Sequence, residues 1–349
     1  MIRKKNILSL DKFIFKSLYD RKNGYYMKKN PFGKKGDYIT SPNISILFSE
    51  MIAVWIVSFW QNLGCPKKFN LIELGAGNGE MMKDMIFTFE KFPSFKSSYK
   101  INILEKSNYL KQIQKKKLKN QNIRWIKSLK EISNVPTIFI ANEFFDALPI
   151  KQFFKKKKLW YERKVQFFKK KKPSFIDILV NISKIEKKIG LNISKDQNFI
   201  EFSPLLFEYI KKISNKIALN GGGILIIDYG YWDKRMSNTL KCFSNHKITN
   251  IFSQIGNNDI TYNLSFELLK NIFNKFNLKI NGKSNQKSFL INMGILKRAE
   301  IISKNLPFSK KADIYYRVQK LINKNSMGEV FKVMLATRDD CNFNSGFIK

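Results

Sequence analysis

The chain has 349 residues, 44% of them hydrophobic, enough apolar material for a full core and too much for a disordered protein. Its 64 basic and 27 acidic side chains leave a formal charge of +37, yet only eight of the basic residues are Arg, so a solvated Lys-rich surface accounts for the charge better than a nucleic-acid footprint does. Three separated cysteines and a single histidine, His246, exclude a disulfide framework and multi-histidine metal chemistry; no metal is expected, and a reducing compartment, read as the cytoplasm, is.

No apolar run reaches the roughly 18 residues of a membrane span. The opening "MIRKKNILSLDKF" is cut short by Asp11 and Lys12 and does not read as a signal peptide. Residues 9–20 carry apolar side chains at helical spacing, and "DRKNGYY" ends that helix. A glycine-rich loop then leads through Ser41 and Pro42 into a long helix that is apolar nearly all round and therefore buried. Residues 1–65 are read as an N-terminal helical and lid segment, with Gly33 and Gly36 as lid hinges or ordinary turn residues.

Next comes an alternation. "FNLIEL", "YKINILE", "IRWI" and "PTIFIANEF" read as strands, while "EMMKDMIFTFEKF" and "NYLKQIQKKKLK" read as helices. Such alternation predicts an α/β protein with a mainly parallel, doubly wound, Rossmann-like sheet covered on both faces. Its first part is placed at residues 66–150. In residues 151–202, aromatics interrupted by Lys blocks predict an inserted antiparallel lobe with Lys at its turns. Residues 203–349 return to the main domain with a helix near 203–219, the buried strand "GGGILIIDYG", the helix "SFELLKNIFNKF" and a final strand "EVFKVMLAT".

The stretch "LIELGAGNGE" places Gly75, Gly77 and Gly79 at the carboxyl end of a strand, where open α/β sheets bind ligands. The spacing is not the dinucleotide fingerprint, and Glu80 stands where a pyrophosphate would meet a helix start. No Lys-Ser or Lys-Thr pair follows, so a phosphate loop is excluded too. S-adenosyl-L-methionine, which carries no phosphate, fits better. Ala76 and Asn78 complete the glycine turn over its amino-acid end, Glu73 faces its ammonium, Glu105 ends the next strand and accepts the ribose hydroxyls, and Ser128 lies near the adenine. The plainer alternative is that Glu73 and Glu105 cap helices.

The stretches "GYYMKKNPFGKKGDYITSPNIS", "IELGAGNGEMMKDM", "IANEFFDALPIKQF", "IIDYGY", "NHKITNIFSQIGNNDIT" and "MGEVFKVM" resemble the MidA-like proteins, class I S-adenosylmethionine-dependent methyltransferases of bacteria and mitochondria. The resemblance runs from about residue 9 to about residue 337. Because it begins so early, no transit peptide is expected. Three places depart from the family pattern. Ala76 and Asn78 replace the Pro and Arg of a G-P-G-R-G loop, Asn43 replaces the Glu after "TSP", and Asn263 and Ser265 replace a His and an Asp in "DITYNLSF".

The resemblance implies a protein substrate, with methyl transfer to an arginine of a respiratory complex I subunit. A guanidinium has a pKa above about 12, so carboxylates are needed to orient and charge-stabilise it. Asn142, Glu143 and Asp146 follow the fourth strand beside the donor's expected methyl, with Asn142 on the cofactor side. Glu143 and Asp146 are expected to bind the acceptor, and Asp228 to support them or join them. Asp146 is equally readable as a helix cap, and His246 reads at least as well as a hydrogen-bonded loop residue as it does as a catalytic base. A non-catalytic assembly factor on the same fold is the alternative from another class. An RNA methyltransferase would need a basic, aromatic patch at the site, for which "FFKKKKLWYERK" is the one candidate.

Overall fold

A computed structural model describes residues 6–33, 39–244 and 247–347; His246 and Gly36 lie outside the described residues. The central sheet has seven main strands: β1 (Phe69–Leu74), β2 (Tyr99–Leu104), β3 (Ile123–Ile126), β4 (Thr137–Asn142), β5 (Gly222–Tyr231), β6 (Lys279–Asn285) and β7 (Phe331–Thr337). Their spatial order is β3-β2-β1-β4-β5-β7-β6, and β7 alone runs antiparallel to its neighbours. A short strand, Leu264–Ser265, also pairs with the end of β5.

Side chains of a strand alternate between faces, and here both faces are dry. Ile72 and Leu74, Phe139 and Ala141, and Ile224 and Ile226 enter one core, beneath helices Leu10–Tyr19, Pro204–Asn220 and Phe266–Lys275. Leu71, Ile138 and Ile140, and Leu225 and Ile227 enter the other, against helices Ile46–Asn62, Glu80–Phe89 and Phe308–Ile322. That is why these strands read as unbroken apolar runs rather than alternating ones. The α/β architecture with a mainly parallel sheet is as expected.

The long apolar helix starts later than its sequence suggests. Ser41–Ile44 forms one separate turn, and Ser45 then breaks the chain to cap Ile46–Asn62, its hydroxyl accepting from the Leu47 amide at 3.3 Å. Trp55 sits fully buried in the middle of this helix. It stacks on Phe59 at 5.2 Å, meets Phe343 edge-on at 5.6 Å and donates its indole N–H to the Ser345 carbonyl at 3.1 Å. Trp55→Ala is expected to cost about 3–5 kcal/mol by denaturant unfolding and to expose the C-terminal tail to protease. An unchanged midpoint would contradict this packing.

Residues Lys151–Lys156, Leu159–Gln166, Ser174–Leu179 and Phe199–Phe202 form an antiparallel sheet. Lys157 and Lys158, both at positive φ, make its two-residue hairpin turn. The N-terminal strand Ile7–Ser9 pairs with Leu159–Gln166, so the first segment of the chain and the lobe share one sheet. A second small antiparallel sheet joins Lys241–Ser244, Lys247–Ile248 and Asp259–Thr261. Lys241, Phe243, Asp259 and Thr261 of this second sheet line the cavity that also holds Gly75 and Gly77.

Candidate active site

The turn after β1 is bound to β2 by the Gly75 amide, which donates to the Leu104 carbonyl at 3.0 Å. Gly75 has φ +69° and Gly77 φ +52°, left-handed conformations that disfavour any side chain. A Cβ on Gly75 would stand 2.8 Å from the Phe144 ring, and one on Gly77 would stand 3.3 Å from Phe32. The turn therefore keeps its backbone bare beneath two aromatic rings. Ala76 is buried in the core, and Gly79 leads into helix Glu80–Phe89. Glu80 is held by Lys83 and Lys117, so its charge is neutralised and the exclusion of a pyrophosphate rests on the other acids.

In front of this turn lies a cavity of about 1280 Å³, larger than the several hundred Å³ of most single-ligand sites. It has room for two ligands side by side. Gly75, Gly77, Glu105, Glu143 and Asp146 line it. A narrow recess of about 40 Å³ shares Gly75, Gly77 and Glu143 and adds Glu73, Ala76, Asn78 and Asn142.

Three buried oxygens around the turn have no partner within the described residues: Glu73 Oε2, Asn142 Oδ1 and Asp146 Oδ1. Polar atoms buried in this way are costly unless a ligand group meets them. A cation at each carboxylate would do so, which fits an ammonium at Glu73 and a second cation at Asp146. Burial, with the charge of Glu105, pushes the Glu73 carboxyl up to about 8. Glu105 accepts the Ser107 amide at 2.8 Å and the Gln114 amide group at 2.9 Å while still facing the cavity. These residues fit the amino-acid and ribose ends of S-adenosylmethionine.

Glu143 follows β4 with φ +49°, a strained conformation for a non-glycine residue, held by its amide donating to the Ile227 carbonyl at 2.9 Å. Burial, with the charge of Asp146, raises its carboxyl to about 8. Asp146 is raised to about 7 by burial and by Asp259, and Thr261 donates its hydroxyl to Oδ2 at 2.9 Å. Asp228, on β5, is fully buried and does not line the cavity. It accepts the amides of Phe145 at 3.0 Å, Asp146 at 3.3 Å and Tyr229 at 2.9 Å, and so pins the turn that carries Glu143 and Asp146.

Ser128 is placed differently from the others. Its hydroxyl accepts the Lys130 amide at 3.3 Å within a capping box completed by Glu131, and the neighbouring Lys127 lines the cavity instead. Two departures from the family pattern explain each other. Asn78 donates to Asn43 Oδ1 at 2.9 Å, so the positions where the pattern has Arg and Glu are here an amide pair in contact. Ser265 caps helix Phe266–Lys275, accepting the Leu268 amide at 3.2 Å, a task that Asp also performs. Sequence reasoning missed Tyr19, Tyr26, Asp259 and Thr261, which line the cavity from elements outside the parallel sheet. Tyr26, Asp259 and Thr261 fall in the stretches "GYYMKKNPFGKKGDYITSPNIS" and "NHKITNIFSQIGNNDIT" that carry the family resemblance, the one signal the sequence offers for them.

The raised carboxyls give the ligand-free protein a definite pH response. Unfolded carboxylates titrate near 4, whereas Glu73, Glu143 and Asp146 hold their protons to about 7 or 8 when folded. The native state thus binds more protons than the unfolded state between those limits, and stability must fall as pH rises through that window. The melting temperature is expected to decline between pH 5 and pH 8.5. Doubling Glu73→Gln with Glu143→Gln should flatten that decline, and an equally steep decline in the double variant would refute the assignment.

The model of a family of S-adenosyl-L-methionine-dependent methyltransferases matches residues 51–284. Protein arginine methyltransferase NDUFAF7, mitochondrial, of Xenopus tropicalis is 28% identical, over 93% of this chain and 81% of its own length. The Caenorhabditis elegans homolog of that protein is 32% identical, over 78% of this chain and 69% of its own. A protein from Burkholderia thailandensis, crystallised with S-adenosyl-homocysteine, shares the fold at TM-score 0.80 and 23% identity, covering 99% of this chain and 89% of that one.

The cytoplasmic expectation is overturned by these relatives, which are named as mitochondrial proteins. Free thiols had suggested a reducing compartment, but they do not separate the cytoplasm from a mitochondrial interior. No helix among the described residues is long and apolar enough to cross a membrane. With a glycine turn, an unmet Glu73 oxygen and a facing Glu105 at the carboxyl ends of this sheet, the chain belongs to the family of S-adenosyl-L-methionine-dependent methyltransferases.

Proposed function

We propose that this chain is a protein arginine methyltransferase whose acceptor is a subunit or assembly intermediate of respiratory complex I. The observation that carries the reading is the pair of acids, half-buried Glu143 and buried Asp146, on the wall of the cavity that also holds the glycine turn. Glu143 and Asp146 are carboxylates that can pair bidentately with a guanidinium, although Arg21, Lys106, Lys111, Lys127 and Lys241 line the same cavity. The names of the relatives and the MidA-like resemblance support the same acceptor class, and the resemblance supplies complex I.

S-adenosylmethionine supplies an electrophilic methyl on a positively charged sulfonium. Glu73, Glu105, Asn142 and the turn Gly75–Gly79 are the residues assigned to hold it. Glu143 and Asp146 accept N–H bonds from the acceptor's guanidinium, fix its plane and leave one nitrogen directed at the methyl. As that nitrogen gains its new bond it must lose a proton, and a carboxylate raised to about 8 is a competent recipient near neutral pH. Asp228 contributes by holding the backbone amides of the turn, so its role is positioning.

The test is incubation of the purified protein with labelled S-adenosylmethionine and solubilised complex I subunits, followed by mass spectrometry of modified residues. Methylarginine on one subunit is the expected result. Label on lysine, on RNA, or on nothing while the cofactor still binds would sink the reading. The kcat/KM for an arginine acceptor should rise as pH passes through about 7 to 8, because Asp146 and Glu143 must be ionised to pair with it.

A further inference from the structure

Gln114 is fully buried on helix Asn108–Lys117 and does not line the cavity. Its side-chain amide donates to the Gly77 carbonyl and to Glu105 Oε2, each at 2.9 Å. Its side-chain oxygen accepts the indole N–H of Trp125, also at 2.9 Å. These partners fix which way the amide points, since an indole N–H only donates and a carbonyl or carboxylate oxygen only accepts. Glutamine is the one side chain of this length that offers two donors and an acceptor together. One buried amide thus joins the turn after β1, the acid at the end of β2 and strand β3.

The groups it joins face different ends of one ligand. Gly77 belongs to the turn assigned to the amino-acid end of S-adenosylmethionine, and Glu105 is assigned to its ribose. Glu105 Oε1 accepts the Ser107 amide at 2.8 Å, so both carboxylate oxygens are held, and each keeps a second lone pair for a ribose hydroxyl. Burial pushes the Glu105 carboxyl up, and the bonds from Ser107 and Gln114 oppose that by favouring the ionised form. We propose that Gln114 is a positioning residue for the methyl donor, fixing Glu105 against the Gly77 carbonyl and thereby setting the preference for a ribose that carries both hydroxyls. This goes beyond the arginine reading and is independent of it, and it rests on Glu105 as the ribose acid.

Such a role leaves its own mark on binding. Without Gln114, Glu105 would keep only the Ser107 amide and would no longer be tied to the turn. The parts of the ligand that meet neither hydroxyl would bind much as before. Selectivity for the ribose would then be lost ahead of affinity for the rest, whereas a general loosening of the fold weakens every ligand alike. Helix and turn are packed closely enough for this coupling, since a Cβ on Gly79 would stand 3.5 Å from Gln114 Cα.

The experiment is calorimetric titration of the full chain with S-adenosyl-homocysteine and with its 2′-deoxy analogue, and the readout is the ratio of the two dissociation constants. Wild type should favour the ribose ligand by about tenfold or more, the scale of one hydrogen bond to a charged group. Glu105→Gln and Gln114→Met should each bring that preference below about threefold, and the double variant should go no further, because the two residues act as one. Gln114→Glu keeps the shape and the bond from Trp125 but, as a carboxylate, has no donor. It should lose the preference as well, and it covers a methionine variant that does not fold. Gln114 variants that keep the wild-type ratio while Glu105→Gln loses it would overturn the proposal and leave Glu105 as the ribose acid. A wild type without preference, or a Glu105→Gln variant that keeps it, would overturn the ribose assignment and the proposal with it.

Discussion

Glu143→Gln is expected to lower the rate of methyl transfer by about 10²–10³, the usual scale for losing one charge-stabilising group, while cofactor affinity stays within about twofold. The reason lies in the geometry. Glu143 turns away from β4 at φ +49°, and the Asn142 side-chain amide and the Ser41 amide reach the same oxygen, each at 3.4 Å. Glutamine has the same shape and keeps an acceptor oxygen for those donors, so the turn should survive. What it lacks is a charge to pair with a guanidinium and a basic site to take its proton. Single-turnover transfer with calorimetry on the same preparation separates the two effects. A variant that loses cofactor affinity instead would move Glu143 to the donor side of the cavity.

Gly75→Val should remove S-adenosylmethionine binding, with a loss of at least about 100-fold. A β-branched residue at φ +69° is strained by about 1–3 kcal/mol, and its Cβ would meet Phe144 at 2.8 Å. Phe144 packs edge-on against Phe145 at 5.2 Å and Tyr209 at 5.4 Å, so it has little room to retreat. Gly221→Val is the control: its φ is +80°, but nothing lies within 4 Å, so it carries the strain without touching the site. Thermal unfolding should fall in both variants. Calorimetry should show lost binding only in the first, and normal binding by Gly75→Val would contradict the placement of the cofactor over this turn.

The parallel strands and their order of appearance were readable from the chain alone, because a strand buried on both faces writes itself as an apolar run and the helices between strands keep the 3.6 period. The glycine turn, Glu73, Glu105, Glu143 and Asp146 were readable for a related reason. In this architecture, residues just past the carboxyl end of a parallel strand are brought together by the sheet itself. Ser128 satisfies that rule as well, but its hydroxyl caps the next turn and the neighbouring Lys127 lines the cavity. Asn43 and Asn78 looked like two independent departures until the fold set them 2.9 Å apart.

The helices between residues 286 and 322 escaped notice because scattered lysines blur their periodicity, and only packing against Ile46–Asn62 and β7 defines the buried face. Pairing of Ile7–Ser9 with Leu159–Gln166 joins segments about 150 residues apart, and nothing local specifies such a partner. Tyr26 and Asp259 are 233 residues apart in the chain and 2.8 Å apart in the molecule. Local propensity and periodicity decide what each segment becomes. Which distant side chains share a cavity, and therefore which acids face one another across it, follows from how the accessory strands cross the sheet, and only the tertiary structure decides that.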